Sequence, residues 1–154
     1  MLHTTFHELQ EKGACTDGYK KLAKSMGGVR SYGKNEPIPL DKVLQSNGLS
    51  DTIWSFRATL EPSGNLLIEF ACCCAEHVLH IFEEAYPDDK RPRLAIVAAK
   101  RFLSEKNPAA GAAASAATWV AAWAAIWDAA WAAGAAASEE QWQSATLLKL
   151  LEGA

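Results

Sequence analysis

Three consecutive cysteines and two nearby histidines form the cluster of this sequence that comes closest to a chemical site. Cys73, His77 and His80 are spaced i, i+4 and i+7, which places all three side chains on one face of a helix. Thiolate and imidazole groups bind zinc, but a structural zinc site needs four ligands and usually takes some of them from a CxxC pair, which this chain lacks. Cys74 falls on the predicted buried face of the same helix, where a free cysteine packs as a small apolar residue. We therefore predict packing rather than metal binding, and no cofactor.

The remaining reactive residues match no catalytic pattern. Cys15 precedes a predicted helix whose first turn carries Asp17, and a neighbouring carboxylate disfavours the reactive thiolate. The phosphate-binding, dinucleotide-binding and zinc-protease motifs GxxxxGK[ST], GxGxxG and HExxH are absent from the sequence. We predict no catalytic residue and no enzymatic activity.

A basic patch is the first of two candidate surfaces for a partner. Between Lys12 and Lys34 the chain carries six basic residues and one acidic residue. The net charge of −3 argues against a general nucleic-acid-binding protein, and the helix-turn-helix likeness of residues 22–27 lacks a recognition helix. A solvated surface is the simplest interpretation, but the patch could also meet an acidic protein or compete for a nucleic-acid-binding groove. The candidate residues are Lys20, Lys21, Lys24, Arg30 and Lys34.

The second candidate surface is a densely charged turn between two predicted helices. Pairing of its arginines with Asp88, Asp89 or Glu84 would make the turn a purely structural feature. An exposed arginine pair is, however, also a common anchor in protein interfaces. The candidate residues are Glu83, Glu84, Asp88, Asp89, Arg91 and Arg93.

Helix signals dominate the elements that would position these residues. Thr5 and Glu8 form a capping box, Pro87 ends a long apolar helix, and Ser138 with Gln141 forms a second capping box. Residues 29–39 are predicted to be a loop with a short extended piece, Ser50 is predicted to cap a helix, and alternation that would require a sheet is absent from the sequence. We predict one all-α domain over residues 1–154 with about eight helices. Its parts are a short-helix subregion at 1–60 and a long-helix bundle at 65–154.

Four tryptophans follow one another at intervals of four residues in the alanine-rich segment Ala109–Ala137. Trp119, Trp123, Trp127 and Trp131 would form a ladder of indoles on one side of a helix, each burying about 150–250 Å². A monomer rarely exposes an apolar patch above about 600 Å², so the ladder must be covered. We predict that it belongs to the core, with a homodimer or partner interface as the alternative. Asp128 and the scarcity of Leu, Ile and Val argue against a membrane span.

Two groups of residues resemble known proteins. Gly13-Ala14-Cys15 and Asp17-Gly18-Tyr19, followed by Trp54 and Arg57, resemble small helical proteins of phages and prophages. The run Phe70–Glu76, then Tyr86–Arg93 and Ala95-Ile96, resembles the Imm5-like immunity protein domain, although the triple cysteine and the tryptophan ladder depart from its pattern. The resemblance implies a protein of a phage or mobile element that acts by binding, and it supplies no catalytic residue.

These observations predict a stoichiometric inhibitor that works in the cytoplasm of a host bacterial cell. The leading hypothesis is occlusion of a host defence complex, in the manner of an anti-CRISPR protein. The alternatives are an immunity protein that neutralises a cognate toxin, a metal protein or enzyme using Cys73, His77 and His80, and a DNA-binding regulator. A defence inhibitor or an immunity protein would have a host or mobile-element protein as its partner.

Overall fold

The computed structural model describes residues 1–105 and 136–154, so the four tryptophans of the predicted ladder lie outside the described residues. The described part is helical apart from one two-stranded sheet and its connections, which confirms the all-α prediction. The strands are β1 (His3–Thr4) and β2 (Ile38–Pro39). The helices are α1 (Phe6–Glu11), α2 (Thr16–Ser25), α3 (Val29–Tyr32), α4 (Leu40–Asn47), α5 (Leu49–Ser55), α6 (Gly64–Ala85), α7 (Arg91–Glu105) and α8 (Ala136–Gly153), with a 3₁₀ turn at Phe56–Ala58.

The chain forms two compact units. The N-terminal unit comprises residues 1–64 and 144–154, and the long-helix unit comprises residues 65–143. The first long helix, α6, begins at Gly64. The single domain over 1–154 stays a prediction.

Capping residues explain why the short helices begin and end where they do. The Thr5 hydroxyl accepts a hydrogen bond from the Glu8 backbone N–H at 3.0 Å, as the capping box predicts. Gly48, with a φ of 94°, lies between α4 and α5 and ends the first helix as it begins the second. The prediction that Ser50 caps α5 is therefore wrong, because Gly48 already turns the chain two residues earlier.

Residues 29–39 contain the predicted short extended piece, as a strand, and also a helical turn that was not predicted. They form the single helical turn α3 and the strand β2, which pairs antiparallel with β1 so that His3 faces Pro39 and Thr4 faces Ile38. A two-residue strand is too short to show alternation, so its pairing is set by tertiary contacts. One such contact is the 2.7 Å hydrogen bond that the buried Thr4 hydroxyl donates to the Ala58 carbonyl.

Phe6 lies at the centre of the core of the N-terminal unit. Its side chain is fully buried, and its ring meets Tyr19 and Tyr32 edge-on at centroid distances of 5.4 and 6.1 Å. Such edge-to-face contacts add to the area that the rings bury. Other fully buried apolar residues of this unit are Leu22, Ile38, Leu40, Leu147 and Leu151.

The long-helix unit is built on α6. Its buried residues are Phe70, Cys72, Cys74 and Leu79, so the prediction for Cys74 is confirmed. Ala85, the last residue of α6, is exposed where the helix gives way to the turn at Pro87. Among the described residues α6 is the one helix long and apolar enough to cross a membrane, a test that the core helix of a globular protein also passes.

The last helix also departs from the prediction at its start. Its described part begins at Ala136, so Ser138 lies within the helix rather than before it and does not act as the N-cap. Alanine is the strongest helix former, which explains helical residues ahead of the predicted cap.

Candidate functional site

The five basic residues of the N-terminal patch lie on or beside two short helices. Lys20, Lys21 and Lys24 belong to α2, whose opposite face buries Leu22, while Arg30 belongs to α3 and Lys34 follows it. None of the five forms an ion pair with a residue that the structure describes. The Lys21 ammonium donates a 3.3 Å hydrogen bond to the Asn47 carbonyl, which directs this base toward α4. The patch therefore carries positive charge that these residues do not neutralise.

The charged turn, in contrast, is internally paired. The Arg91 guanidinium donates to both oxygens of Asp89, with the closest contact at 2.6 Å. This hydrogen bonding lowers the pKa of Asp89 to about 2. Asp89 also accepts the Arg91 backbone N–H at 3.1 Å and so caps the start of α7.

Two further ion pairs join α6 to α7. Arg93 donates two hydrogen bonds to Glu83, at 2.6 and 2.7 Å, and Lys100 donates two to Glu76 at the same distances. The partners are seven residues apart on each helix and in opposite order, so the helices run antiparallel. The suggested pairing of the arginines within the turn is confirmed for Arg91, which pairs with Asp89, whereas Arg93 pairs with Glu83 on the face of α6 turned toward α7. Hydrogen bonds from Arg93 lower the pKa of Glu83.

The three consecutive cysteines are largely shielded from solvent, which disfavours reactive thiolates. Cys72 and Cys74 are buried and Cys73 is half-buried. Burial raises the pKa of all three thiols, that of Cys74 to about 12, because a thiolate would lose its hydration. Within residues 1–105 and 136–154, no three His, Cys, Asp or Glu side chains come together as a metal site would require.

His77 takes part in a cluster that the sequence does not suggest. Its ring stacks on the Trp142 indole at a centroid distance of 3.7 Å and an interplanar angle of 9°. Its Nε2 lies 3.3 Å from Glu139, whose other carboxylate oxygen accepts a 3.1 Å hydrogen bond from Gln143. The spacing of Glu139, Trp142 and Gln143 places them on one helix face, but it does not specify that this face meets His77 of α6.

A cavity of about 110 Å³ lies in the N-terminal unit between α2 and the α4–α5 pair. Asn47 organises its polar side by donating hydrogen bonds to the Gly18 carbonyl at 2.8 Å and to Asp51 at 2.7 Å. The Cys15 sulfur accepts the Gly18 backbone N–H at 3.3 Å. A Cβ atom at Gly18 would lie 2.6 Å from the Asp51 carboxylate, so a larger residue there requires the Asp51 side chain to shift. The lining residues are Leu9, Ala14, Cys15, Gly18, Tyr19, Leu22, Val43, Asn47, Ser50, Asp51, Trp54 and Ser55.

Five of the N-terminal residues on which the resemblance to phage and prophage proteins rests line this cavity. Ala14, Cys15, Gly18, Tyr19 and Trp54 all contribute to its wall. Arg57 places its guanidinium 5.0 Å from the centre of the Trp54 indole, a cation–π contact. The sequence does not predict this cavity, because its walls come from four helices, α1, α2, α4 and α5, whose packing no local pattern specifies.

Comparison with known proteins decides the family. The family described as "Imm-5 like putative immunity protein" matches residues 59–137, just over half of the chain. The chain belongs to this family. No curated protein and no solved structure matches it.

In this Imm-5 like protein the matched range and the basic patch fall on different residues. The range contains α6, α7 and the ion pairs Arg93–Glu83 and Lys100–Glu76. The cavity wall and the basic patch both precede residue 59. The family match therefore identifies the long-helix unit, and the candidate contact residues of the N-terminal unit rest on geometry and charge alone.

Proposed function

We propose that this protein is a cytoplasmic immunity protein that neutralises a toxin by binding it stoichiometrically and covering its working surface. The observation that carries the proposal is membership in the Imm-5 like family over residues 59–137. The protein acts without catalysis, and its partner is the toxin encoded beside its gene.

The basic patch is the surface that we propose for the toxin contact. Its five bases lack ion-pair partners among the described residues, so an approaching acidic surface need not displace an internal carboxylate from them. Complementary charge of this kind raises association rates and excludes partners of the wrong sign. The charged turn is a poorer candidate, because Arg91 and Arg93 are already engaged by Asp89 and Glu83.

Growth rescue tests the proposal. The neighbouring toxin gene is expressed in a bacterial host with and without this protein, and the protein is expected to restore growth. Size-exclusion chromatography with light scattering should then show a complex of fixed stoichiometry, and it reports at the same time whether the free protein is a homodimer. Absence of both growth rescue and complex formation would overturn the proposal.

Inhibition of a host defence complex is the second candidate. It is favoured by the convergence of the phage-like residues Cys15, Gly18, Tyr19 and Trp54 on one cavity. An anti-CRISPR protein should restore plaque formation by a targeted phage on a CRISPR-immune strain, whereas a toxin immunity protein should leave that strain protected. The two assays together separate the candidates.

A further inference from the structure

We propose that the cavity of the N-terminal unit binds one apolar side chain presented by an acidic segment of the partner protein. This inference rests on the proposed function, since it names the chemistry by which the toxin is recognised. It assigns the cavity as the anchor point beside the basic patch.

The size and the walls of the cavity suit a single aliphatic side chain. Its volume is about 110 Å³, and its walls include Leu9, Leu22, Val43 and the ring of Trp54. An apolar cavity of about 150 Å³ is large enough to take up benzene, so a branched aliphatic group fits the smaller space. The cavity is partly open, so a side chain can enter it from solvent. Side chains that fill a desolvated pocket contribute much of the affinity in many protein interfaces.

Two basic side chains contact residues that line the cavity. Lys21 donates to the carbonyl of Asn47, and Arg57 lies over the ring of Trp54, both of which are lining residues. Neither base has an ion-pair partner among the residues that the structure describes. Asp51 is the carboxylate among the lining residues, and the Asn47 amide already donates to it. The charge around the opening therefore favours carboxylates on either side of the anchor residue.

Cys15 provides a reporter for occupancy. It is exposed and lines the cavity, whereas Cys72 and Cys74 are buried, Cys73 is half-buried, and burial raises the pKa of all three. A thiol reagent should therefore modify Cys15 first. An occupant of the cavity should slow that reaction by covering the sulfur.

The test uses the full-length protein and three synthetic pentapeptides. One is acidic with a central leucine, one is acidic with a central alanine, and one is basic with a central leucine. The acidic leucine peptide should protect Cys15 from a chromogenic disulfide reagent in a saturable way. The alanine peptide should bind about tenfold more weakly, because it buries fewer carbon atoms. The basic peptide should give no protection.

Charge-reversed variants supply the matched control. Lys21→Glu with Arg57→Glu should abolish protection by the acidic leucine peptide. Lys42→Glu with Lys149→Glu makes the same change in net charge at lysines outside the cavity wall and should keep at least half of the affinity. Melting temperatures check that all variants fold. The peptide series on the unaltered protein tests the inference even if one variant does not fold.

Equal binding of the leucine and alanine peptides, protection by the basic peptide, or no protection by any peptide would each overturn the inference. Failure of the peptide test leaves growth rescue by the unaltered protein standing, since the toxin could dock elsewhere. Failure of growth rescue with successful peptide binding would remove the toxin as partner and keep the cavity as a site.

Discussion

The two units of this protein use basic residues in opposite ways. In the long-helix unit Arg91, Arg93 and Lys100 each approach a carboxylate to 2.6 Å. In the N-terminal unit the patch residues Lys20 to Lys34 have no such partner among the described residues. Charges that are already paired position helices, and charges that are not remain available to a second molecule. Charge density alone therefore does not mark a binding surface.

The largest expected effect comes from a substitution that disrupts the core of one of the two units. Phe6→Ala removes a fully buried ring from the N-terminal unit and should lower the free energy of unfolding by about 3–5 kcal/mol. Leu94→Ala in the long-helix unit removes a side chain that is 63% exposed and should change it by less than about 0.5 kcal/mol. Urea denaturation followed by circular dichroism measures both. A large loss at Leu94 would show that another surface covers it.

Charge reversal of the patch should have the next largest effect, on binding rather than on stability. Lys20→Glu, Lys21→Glu and Lys24→Glu together should slow association with the toxin by about tenfold or more at low salt, because electrostatic steering is reversed. The triple replacement Glu76→Gln, Glu83→Gln and Asp89→Asn in the long-helix unit changes paired charges and should leave the association rate within about threefold. Stopped-flow fluorescence at two salt concentrations measures the rates. Equal slowing by both triple variants would erase the distinction between the units.

The third test concerns the close approach at the cavity. Gly18→Ala should destabilise the protein by about 1–3 kcal/mol, because its Cβ would lie 2.6 Å from the Asp51 carboxylate. Gly64→Ala is the matched control, since a Cβ there meets nothing within 4 Å and alanine at the first residue of α6 should stabilise the helix by up to about 0.5 kcal/mol. We expect Gly18→Ala to lower the melting temperature and Gly64→Ala to raise it. Stabilisation by Gly18→Ala would show that the cavity wall readily gives way.

The sequence predicts helices better than it predicts what they bring together. Thr5 and Pro87 act over a few residues, so local signals locate the start of α1 and the end of α6 correctly. The pair Arg93–Glu83 and the stack of His77 on Trp142 depend on the packing of separate helices. No spacing along the chain encodes that packing, and the cavity at Gly18 escapes prediction for the same reason.

The smallest expected effect is also the most direct test of the charge comparison. Arg93→Gln with Lys100→Gln should lower the melting temperature by about 2 °C at low salt, since exposed ion pairs stabilise little. The difference should shrink in 1 M salt, where the screening length is about 3 Å. The difference in melting temperature should also shrink in acid. The pKa of Glu83 is lowered in the folded protein, so the Glu83–Arg93 pair stabilises the fold at pH values above the ordinary carboxyl pKa. That stabilisation is lost as the pH falls through the lowered pKa.

Lys20→Gln with Lys24→Gln is the matched control for this last variant. It removes two positive charges from lysines that lack ion-pair partners among the described residues, so the melting temperature should not fall. Scanning calorimetry at low salt, high salt and acidic pH resolves differences of this size. An equal fall for the two variants would mean that the patch lysines stabilise the fold as much as the paired bases do. The proposal that they are held available for a partner would then lose its physical basis.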